Sequence, residues 1–245
     1  RRDNPLYCEN FTSHGCNCAG GFAEFVAVKA AKCFKINNLS YRQAVMVEPT
    51  SCAIHGMDVI AVKPGSEVLV FGAGPTGLIL AQLAKLNGAA KLVVAAPAGA
   101  KLELAKSFGA DEIIEIDRED YSAHRKAIKN RYPAGFDTVV EATGVAELLQ
   151  ESIDYLKMGG PAIAYGVYSQ DAKITLSPYD IFARELTVKG SFAQTHCFDR
   201  ALLYLESGAV NIDPLVTHEL PLKDYGLALD MMRRKEGIKI AIVPG

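Results

Sequence analysis

The sequence predicts an α/β protein built on a doubly wound parallel sheet. Between residue 67 and about residue 192, short segments rich in Val, Ile and Leu alternate with longer segments of helical periodicity. Such alternation is typical of parallel strands joined by crossover helices. Residues 68–71 are apolar throughout and lead directly into Gly-x-Gly-x-x-Gly and a helical pattern. A continuous apolar strand is expected where both faces of a sheet are buried.

The elements of this central region follow from the same periodicities. The predicted strands cover residues 68–71, 92–95, 112–116, 138–141, 162–167 and 186–189. The predicted helices cover residues 76–87, 100–108, 121–131, 145–156 and 178–184. Gly109 and Gly159 follow two of these helices, where a left-handed residue commonly ends a helix.

The flanking segments are less regular. Residues 22–28 alternate in polarity and predict a strand, and residues 39–62 predict a helix that starts at Ser40 and is interrupted at Glu48-Pro49. After residue 193 the pattern predicts a helix (198–207), a strand (215–220), a helix (222–235) and a last strand (238–243). These flanks indicate a second unit outside the central sheet.

The glycine turn predicts a dinucleotide site. Gly72 permits a tight turn, Gly74 lets a pyrophosphate approach the backbone, and Gly77 lets the helix lie close to the strand. Pro75 suits an early helical position, and with Thr76 it opens a helix whose free N–H groups attract phosphate. Strand, turn and helix together are the context in which this motif indicates a Rossmann fold.

Composition excludes several classes of protein. Hydrophobic residues make up 49% and charged residues 22%, and the net charge is −2, so nothing favours nucleic acid or an acidic membrane surface. No apolar run reaches the length of a membrane helix, and the first residues lack a signal-peptide pattern. Six scattered cysteines do not form a disulfide framework, which favours a cytoplasmic location.

The motifs resemble those of the medium-chain zinc-dependent alcohol and polyol dehydrogenases, above all the sorbitol, arabinitol and threonine dehydrogenases. They run through the chain in the family's order. The segments that carry the resemblance are residues 6–10, 20–24, 48–49, 55–56, 72–77, 105–106, 109–111, 136–137, 141–144, 159–160 and 190–192. The resemblance implies a partial GroES-like catalytic domain (1–50), a Rossmann domain that binds NAD or NADP (51–192), and a C-terminal return to the catalytic domain (193–245).

The resemblance also implies zinc in the full-length parent. Glu48 matches the third ligand position of the catalytic zinc, where an open coordination site polarises an alcohol. Cys8 matches the last cysteine of the structural-zinc pattern. The other ligands lie upstream in the family, so we expect a truncated chain that is inactive alone. His14, Cys16 and Cys18 have no standard zinc spacing.

Two more residues follow Glu48 at helical spacing. Cys52 and His55 lie four and seven positions further on, which places them on the same helix face. By resemblance, Cys52 matches a position that touches the nicotinamide. His55 is more often a packing or hydrogen-bonding histidine than a ligand.

The remaining cofactor residues also come from the resemblance. Ala96 replaces the acid that usually binds the adenosine ribose, and Lys101 could face a 2′-phosphate, so we expect weak discrimination between NAD and NADP. The other positions implied to contact the cofactor are Thr143, Gly144, Gly166, Val167, Ser191, Phe192 and Lys239.

The sequence therefore predicts an oxidoreductase that transfers hydride between a polyol or secondary alcohol and nicotinamide, with zinc assistance in the parent. Two alternatives are a zinc-independent quinone or enone reductase and a non-catalytic dinucleotide-binding fragment. We expect a small-molecule substrate, no nucleic-acid or membrane partner, and a homodimer or homotetramer that pairs through residues 185–191.

Overall fold

The structure, a computed structural model, describes residues 4–244 and divides the chain into two compact units. One unit runs from Cys52 to Phe192, and the other combines the residues up to Ser51 with those from Ala193 onward. Short 3-10 helices cover Pro5–Tyr7, Ala30–Lys32, Ile153–Tyr155 and Leu222–Asp224. The α-helices are α1 (Tyr41–Ala44), α2 (Val47–Ile60), α3 (Pro75–Leu86), α4 (Ala100–Ser107), α5 (Ser122–Arg131), α6 (Ala146–Ser152), α7 (Pro178–Ala183), α8 (Phe198–Glu206) and α9 (Tyr225–Arg233). The strands are β1 (Glu67–Phe71), β2 (Lys91–Ala96), β3 (Glu112–Glu115), β4 (Thr138–Glu141), β5 (Pro161–Ala164), β6 (Thr187–Gly190), β7 (Val216–Pro221) and β8 (Lys239–Val243).

The unit from Cys52 to Phe192 contains a six-stranded sheet in the order β3-β2-β1-β4-β5-β6. Every neighbouring pair is parallel; Val70 of β1, for example, is in register with Val94 of β2 and Val140 of β4. The chain adds β2 and β3 on one side of β1 and then crosses to β4 on the other side. This reversal creates a switch point beyond the carboxyl ends of β1 and β4, where doubly wound folds bind ligands. The predicted α/β fold is confirmed.

The core explains why β1 lacks polar alternation. Leu69 and Phe71 belong to a buried cluster with Phe136 and Tyr155, and Val68 and Val70 are also at most 1% exposed. Helices therefore cover both faces of the strand, as a continuous apolar sequence predicts. The predicted strand 162–167 ends early, at Ala164, because Tyr165 and Gly166 turn and donate both N–H groups to the Glu141 carbonyl oxygen.

The prediction of a strand over residues 22–28 is wrong. These residues form bends and irregular structure, although they lie in the described part of the chain. Phe25 is 91% exposed, and Phe22, Val26 and Val28 are exposed as well. Alternating sequence alone does not stabilise a strand, since a strand needs a neighbour to pair with its backbone.

The predicted interruption at Glu48-Pro49 is also wrong. Ser40 caps α1 as expected. Its side chain accepts a hydrogen bond from the Gln43 backbone N–H, and the Gln43 side chain accepts one from the Ser40 backbone N–H, which together form a capping box. The helical path breaks after α1, at Val45 and Met46, and α2 starts at Val47. Pro49 is tolerated in the first turn of α2 because the N–H groups there have no partner within the helix.

The other unit holds a two-stranded parallel sheet of β7 and β8, with α9 between them in the chain. The predicted helix 222–235 divides into a 3-10 turn and α9. Arg42 of α1 forms an ion pair with Glu219 of β7 at 3.0 Å. Among residues 4–244, none of the helices has the length and apolar character needed to cross a membrane.

Candidate cofactor site

The turn after β1 begins at Gly72, whose backbone conformation favours glycine. Its φ is +115°, a value that L side chains rarely adopt. A Cβ at this position would also lie 3.0 Å from Thr143 Cγ2 and 3.3 Å from the Ala142 carbonyl oxygen. Gly72 therefore permits the chain to leave the sheet close to the segment that follows β4.

Gly74 leaves open space in front of helix α3. No heavy atom lies within 4 Å of a Cβ built on this residue, and its backbone (φ −74°, ψ 177°) suits any amino acid. Pro75 occupies the first turn of α3, followed by the partly buried Thr76. A group that approaches Gly74 therefore meets a helix N-terminus, where N–H groups and the helix dipole favour negative charge.

Gly77 brings α3 close to the end of β1. A Cβ there would lie 2.3 Å from the Gly72 carbonyl oxygen, so no side chain fits without a shift of the backbone. The three glycines thus differ physically, because Gly72 and Gly77 lack room for a side chain, whereas Gly74 faces open space. The arrangement fits a dinucleotide pyrophosphate, since its phosphates would lie in the open space beside Gly74.

Two further turns, one after β4 and one after β5, meet at the carboxyl ends of these strands. Gly144 has φ +80°, and its Cβ would lie 2.2 Å from the Val167 carbonyl oxygen. A Cβ on Gly166 would lie 2.1 Å from the Gly144 nitrogen. The predicted cofactor residues Thr143, Gly144, Gly166 and Val167 are therefore brought together, with the backbones of the two turns in direct contact.

Glu141, the last residue of β4, is fully buried between these turns. One carboxylate oxygen accepts a hydrogen bond from the Thr143 N–H at 2.6 Å and another from the Thr143 hydroxyl. The other oxygen accepts from the Gly144 N–H at 3.0 Å and from the Tyr168 hydroxyl. Burial and the bond to Glu141 raise the pKa of Tyr168 far above its usual value, so this hydroxyl remains a donor.

The sequence motifs predict no role in the site for the side chains of Glu141 and Tyr168. A signal for Glu141 was present, because an acid ends the otherwise apolar segment Thr-Val-Val-Glu just before a glycine turn. Buried carboxylates need hydrogen-bond partners, so an acid in that position predicts donors nearby. No local signal identifies Tyr168, whose partner lies 27 residues earlier.

Ala96 ends β2, where the structure places it next to β3. It is 3% exposed, and its carbonyl oxygen accepts from the Ile116 N–H at 3.0 Å. Gly99 and α4 follow, with Lys101 in the first turn of that helix and partly buried. The strand end therefore carries a methyl group where a carboxylate would bind a ribose.

Ser191 and Phe192 follow β6 at the same edge of the sheet. The Ser191 N–H donates to the Ala164 carbonyl oxygen at 3.0 Å. Its hydroxyl is buried and, within residues 4–244, has no hydrogen-bond partner. Phe192 is 66% exposed and Val167 is 94% exposed. A buried hydroxyl without a partner among the described residues, next in the chain to an exposed aromatic side chain, fits a polar group of a ligand.

Cys52 and His55 lie on α2, both partly buried. Gly56, in the same turn, packs against the residue after β5, because a Cβ there would lie 2.7 Å from Tyr165 Cε2 and 3.4 Å from Leu80 Cδ2. This contact places the part of α2 around Gly56 next to Tyr165, which follows β5, and next to Leu80 of α3. The roles predicted for Cys52 and His55 stay predictions.

The predicted zinc residues do not form a complete site. Glu48 is exposed in the first turn of α2, and Cys8 is exposed beside the 3-10 helix Pro5–Tyr7. Across residues 4–244, no three His, Cys, Asp or Glu side chains are grouped so that they could hold a metal ion. Because a catalytic zinc needs three protein ligands, the residues described here do not fit zinc. Lys239 starts β8 in the other unit, and its predicted pyrophosphate contact stays a prediction.

Comparisons with known proteins give a consistent result. Residues 75–207 match the family described as zinc-binding dehydrogenase. D-arabinitol dehydrogenase 1 of Uromyces fabae is 50% identical over 245 residues, which is all of this chain and 70% of that protein. Sorbitol dehydrogenase of Ovis aries is 32% identical over 224 residues, covering 91% of this chain and 63% of that protein.

A solved structure from Sinorhizobium meliloti 1021, described as a zinc-binding dehydrogenase bound to NADP, superimposes with a TM-score of 0.87. Its sequence is 30% identical, and the match covers 97% of this chain and 70% of that one. The chain thus spans about two thirds of the length of the relatives it matches, from 63% to 70%.

Proposed function

This chain belongs to the zinc-binding dehydrogenase family, and from that premise we propose that it binds NAD or NADP, the cofactor of a hydride exchange with a polyol or secondary alcohol that zinc assists in the full-length parent. The family resemblance predicted from the sequence motifs is confirmed, and so is the oxidoreductase class. The cofactors named for solved relatives, NADP and NADH, support the choice of ligand.

The open space beside Gly74 is the observation that carries the proposal. A glycine that needs neither a positive φ nor relief from a close contact has no packing reason to lack a side chain. It sits at the N-terminus of α3, where a pyrophosphate would gain N–H groups and the favourable end of a helix dipole. Gly72 and Gly77, by contrast, are explained by the fold itself.

When bound, the nicotinamide supplies the chemistry by accepting a hydride from the carbinol carbon of the alcohol. The chain contributes binding and orientation. Residues at Gly74 and the start of α3 would hold the pyrophosphate, and the buried Ser191 hydroxyl is placed to bond a polar group such as the carboxamide. Cys52 would contact the nicotinamide ring from α2.

The names of the relatives support a polyol as the substrate class, since D-arabinitol and sorbitol are both linear polyols. A second candidate function is dinucleotide binding without zinc-assisted turnover. It is favoured by the lack, within the described residues, of a three-ligand group for a metal ion.

We further propose self-association and a reducing compartment. β6 forms one end of the six-stranded sheet, pairs with β5, and has all four residues exposed, so its free edge could pair with that of a second copy. The six cysteines form no disulfide within the described residues, which supports a cytoplasmic location.

The test is Gly74→Asp, with Gly77→Ala as the matched comparison. Aspartate is a favoured N-cap residue and has room at position 74, so we expect the free energy of unfolding to change by less than about 0.5 kcal/mol. Its charge and bulk should raise the Kd for NADH by about a hundredfold in calorimetry.

Gly77→Ala should instead destabilise the fold by about 2 kcal/mol, because its methyl group collides with the Gly72 carbonyl oxygen. A Gly74→Asp variant that keeps its stability and still binds NADH with the wild-type Kd would contradict the proposed site.

A further inference from the structure

We propose that Glu141 is a positioning residue that locks the β4 and β5 turns together and thereby shapes the nicotinamide half of the cofactor site. The inference rests on the proposed function, since it concerns the same cofactor. Glu141 would touch no cofactor atom. It would act through Thr143, Gly144 and Tyr168, which donate four hydrogen bonds to its carboxylate.

The carboxylate of Glu141 is surrounded by hydrogen-bond donors. A carboxylate offers only acceptors, and this one meets four donors while fully buried: two N–H groups and two hydroxyls. Each oxygen accepts from two of them. Glutamine at this position could accept through one oxygen only, and its NH2 group would face donors. The site therefore requires two acceptor oxygens, which a carboxylate supplies and an amide of the same size does not.

The turn after β4 and the turn after β5 lie very close to each other. Gly144 and Gly166 lack side chains where the backbones meet, and a Cβ on Gly166 would also lie 2.9 Å from the Glu141 carboxylate. Three of the four bonds hold the turn after β4, and the bond from Tyr168 holds the turn after β5. Glu141 is thus a single anchor for both turns.

Glu141 is also connected, through Thr143, to the glycine turn after β1. Thr143, which Glu141 holds by two bonds, lies against the backbone of Gly72. In a doubly wound sheet the adenosine half binds over the strands on the β2 side, so β4 and β5 face the other nucleotide. Loss of the anchor should therefore disturb nicotinamide binding more than adenosine binding.

The experiment compares two ligands in three proteins. Calorimetry measures the Kd for NADH, which spans both halves of the site, and for ADP, which fills the adenosine half. For Glu141→Gln we expect a rise of about tenfold in the Kd for NADH and less than about twofold for ADP, consistent with losing hydrogen bonds to a charged group.

The control is Glu151→Gln, a second buried glutamate of the same unit. Glu151 forms hydrogen bonds with His124 and Arg125 of α5 and with Tyr155 of the 3-10 helix after α6. The Glu151→Gln variant should therefore have a lower Tm, while the ratio of its Kd for NADH to its Kd for ADP should equal that of the wild type. Equal factors for NADH and ADP in Glu141→Gln would overturn the inference, as would wild-type values for both.

If Glu141→Gln does not fold, a second variant tests whether Glu141 shapes the nicotinamide half of the site. Tyr168→Phe removes one donor and leaves the carboxylate with the β4 turn. We expect the Kd for NADH to rise by about threefold with ADP unchanged. No change in the ratio would overturn the inference. If the wild type binds ADP but not NADH, the proposed function itself fails; the variant ratios test only the role of Glu141.

Discussion

Individual positions in this site differ in whether the structure leaves room for a side chain. At Gly72 and Gly77 the backbone geometry and its neighbours exclude a Cβ, whereas at Gly74 there is room for one. At Ala96 a side chain is present, but it is a methyl group that cannot form a hydrogen bond. We propose that selectivity between the two cofactors depends on that strand end, because an acid there would accept from a ribose hydroxyl and repel a 2′-phosphate.

At this scale we predict weak cofactor discrimination that one substitution can shift. Ala96→Asp should move the ratio of Kd values about tenfold toward NAD over NADP, because a carboxylate repels the 2′-phosphate. The control is Ala98→Asp, which adds the same charge at an exposed residue two positions on. A wild-type preference for NAD on the order of a thousandfold, about 4 kcal/mol, would contradict weak discrimination.

At the scale of elements, α5 and α6 are joined by a buried carboxylate. Glu151 of α6 lies 3.0 Å from His124 Nε2, accepts from Arg125 Nε at 2.7 Å and accepts from the Tyr155 hydroxyl at 2.9 Å. His124 is fully buried and Glu151 is 7% exposed. Removing one member of such a network would leave buried polar groups without partners and destabilise the pair of helices.

This network predicts a pH dependence of stability. Burial alone would raise the pKa of Glu151, but the bonds from His124, Arg125 and Tyr155 outweigh it and hold the pKa below the ordinary value of 4.5. Because the folded-state pKa is the lower one, the stabilisation is present above about pH 4.5 and is lost as the pH falls through the folded-state pKa.

Thermal unfolding of the wild type and of Glu151→Gln between pH 3 and pH 7 checks this. The wild type should have the higher Tm near neutral pH, by about 4 °C or more, and the difference should shrink in acid. A Tm difference that stays constant, or grows as the pH falls, would show that the carboxylate charge is not what stabilises these helices.

At the scale of the whole molecule, β6 is an edge strand of the six-stranded sheet, and its free edge could pair with another strand. Val188 lies on β6 and is 40% exposed, and the exposed side chains of Tyr179 and Phe182 belong to α7, the helix before it. An open strand edge with apolar neighbours favours pairing with a second copy.

We therefore predict that Val188→Lys shifts the chain toward monomers in sedimentation at micromolar concentration, since charge on an edge strand opposes edge-to-edge pairing. Leu86→Lys places the same charge at an exposed apolar residue of α3 and should leave the oligomeric state unchanged. A wild type that sediments only as a monomer would refute the edge-pairing proposal.

Among the described residues, no three side chains are grouped to hold a metal ion, and this leads to a prediction about the zinc content of the chain. Purified protein of this sequence should carry well below one zinc per chain and show no zinc-dependent oxidation of D-arabinitol or sorbitol, because Glu48 is a single carboxylate where three ligands are needed. Metal analysis with an activity assay checks both. About one zinc per chain together with turnover would mean that side chains such as His55 or Cys16 act as ligands.

Local rules are enough to predict the central sheet and the glycine turn from the amino-acid sequence. Apolar runs bounded by glycines define buried parallel strands, and the three glycines of the turn carry their spacing in the chain. Three features become visible only in the folded structure: the four donors around Glu141, the irregular path of residues 22–28, and the start of α2 at Val47. Each of these depends on which distant groups supply hydrogen bonds or burial, and the periodicity of a single segment does not contain that information.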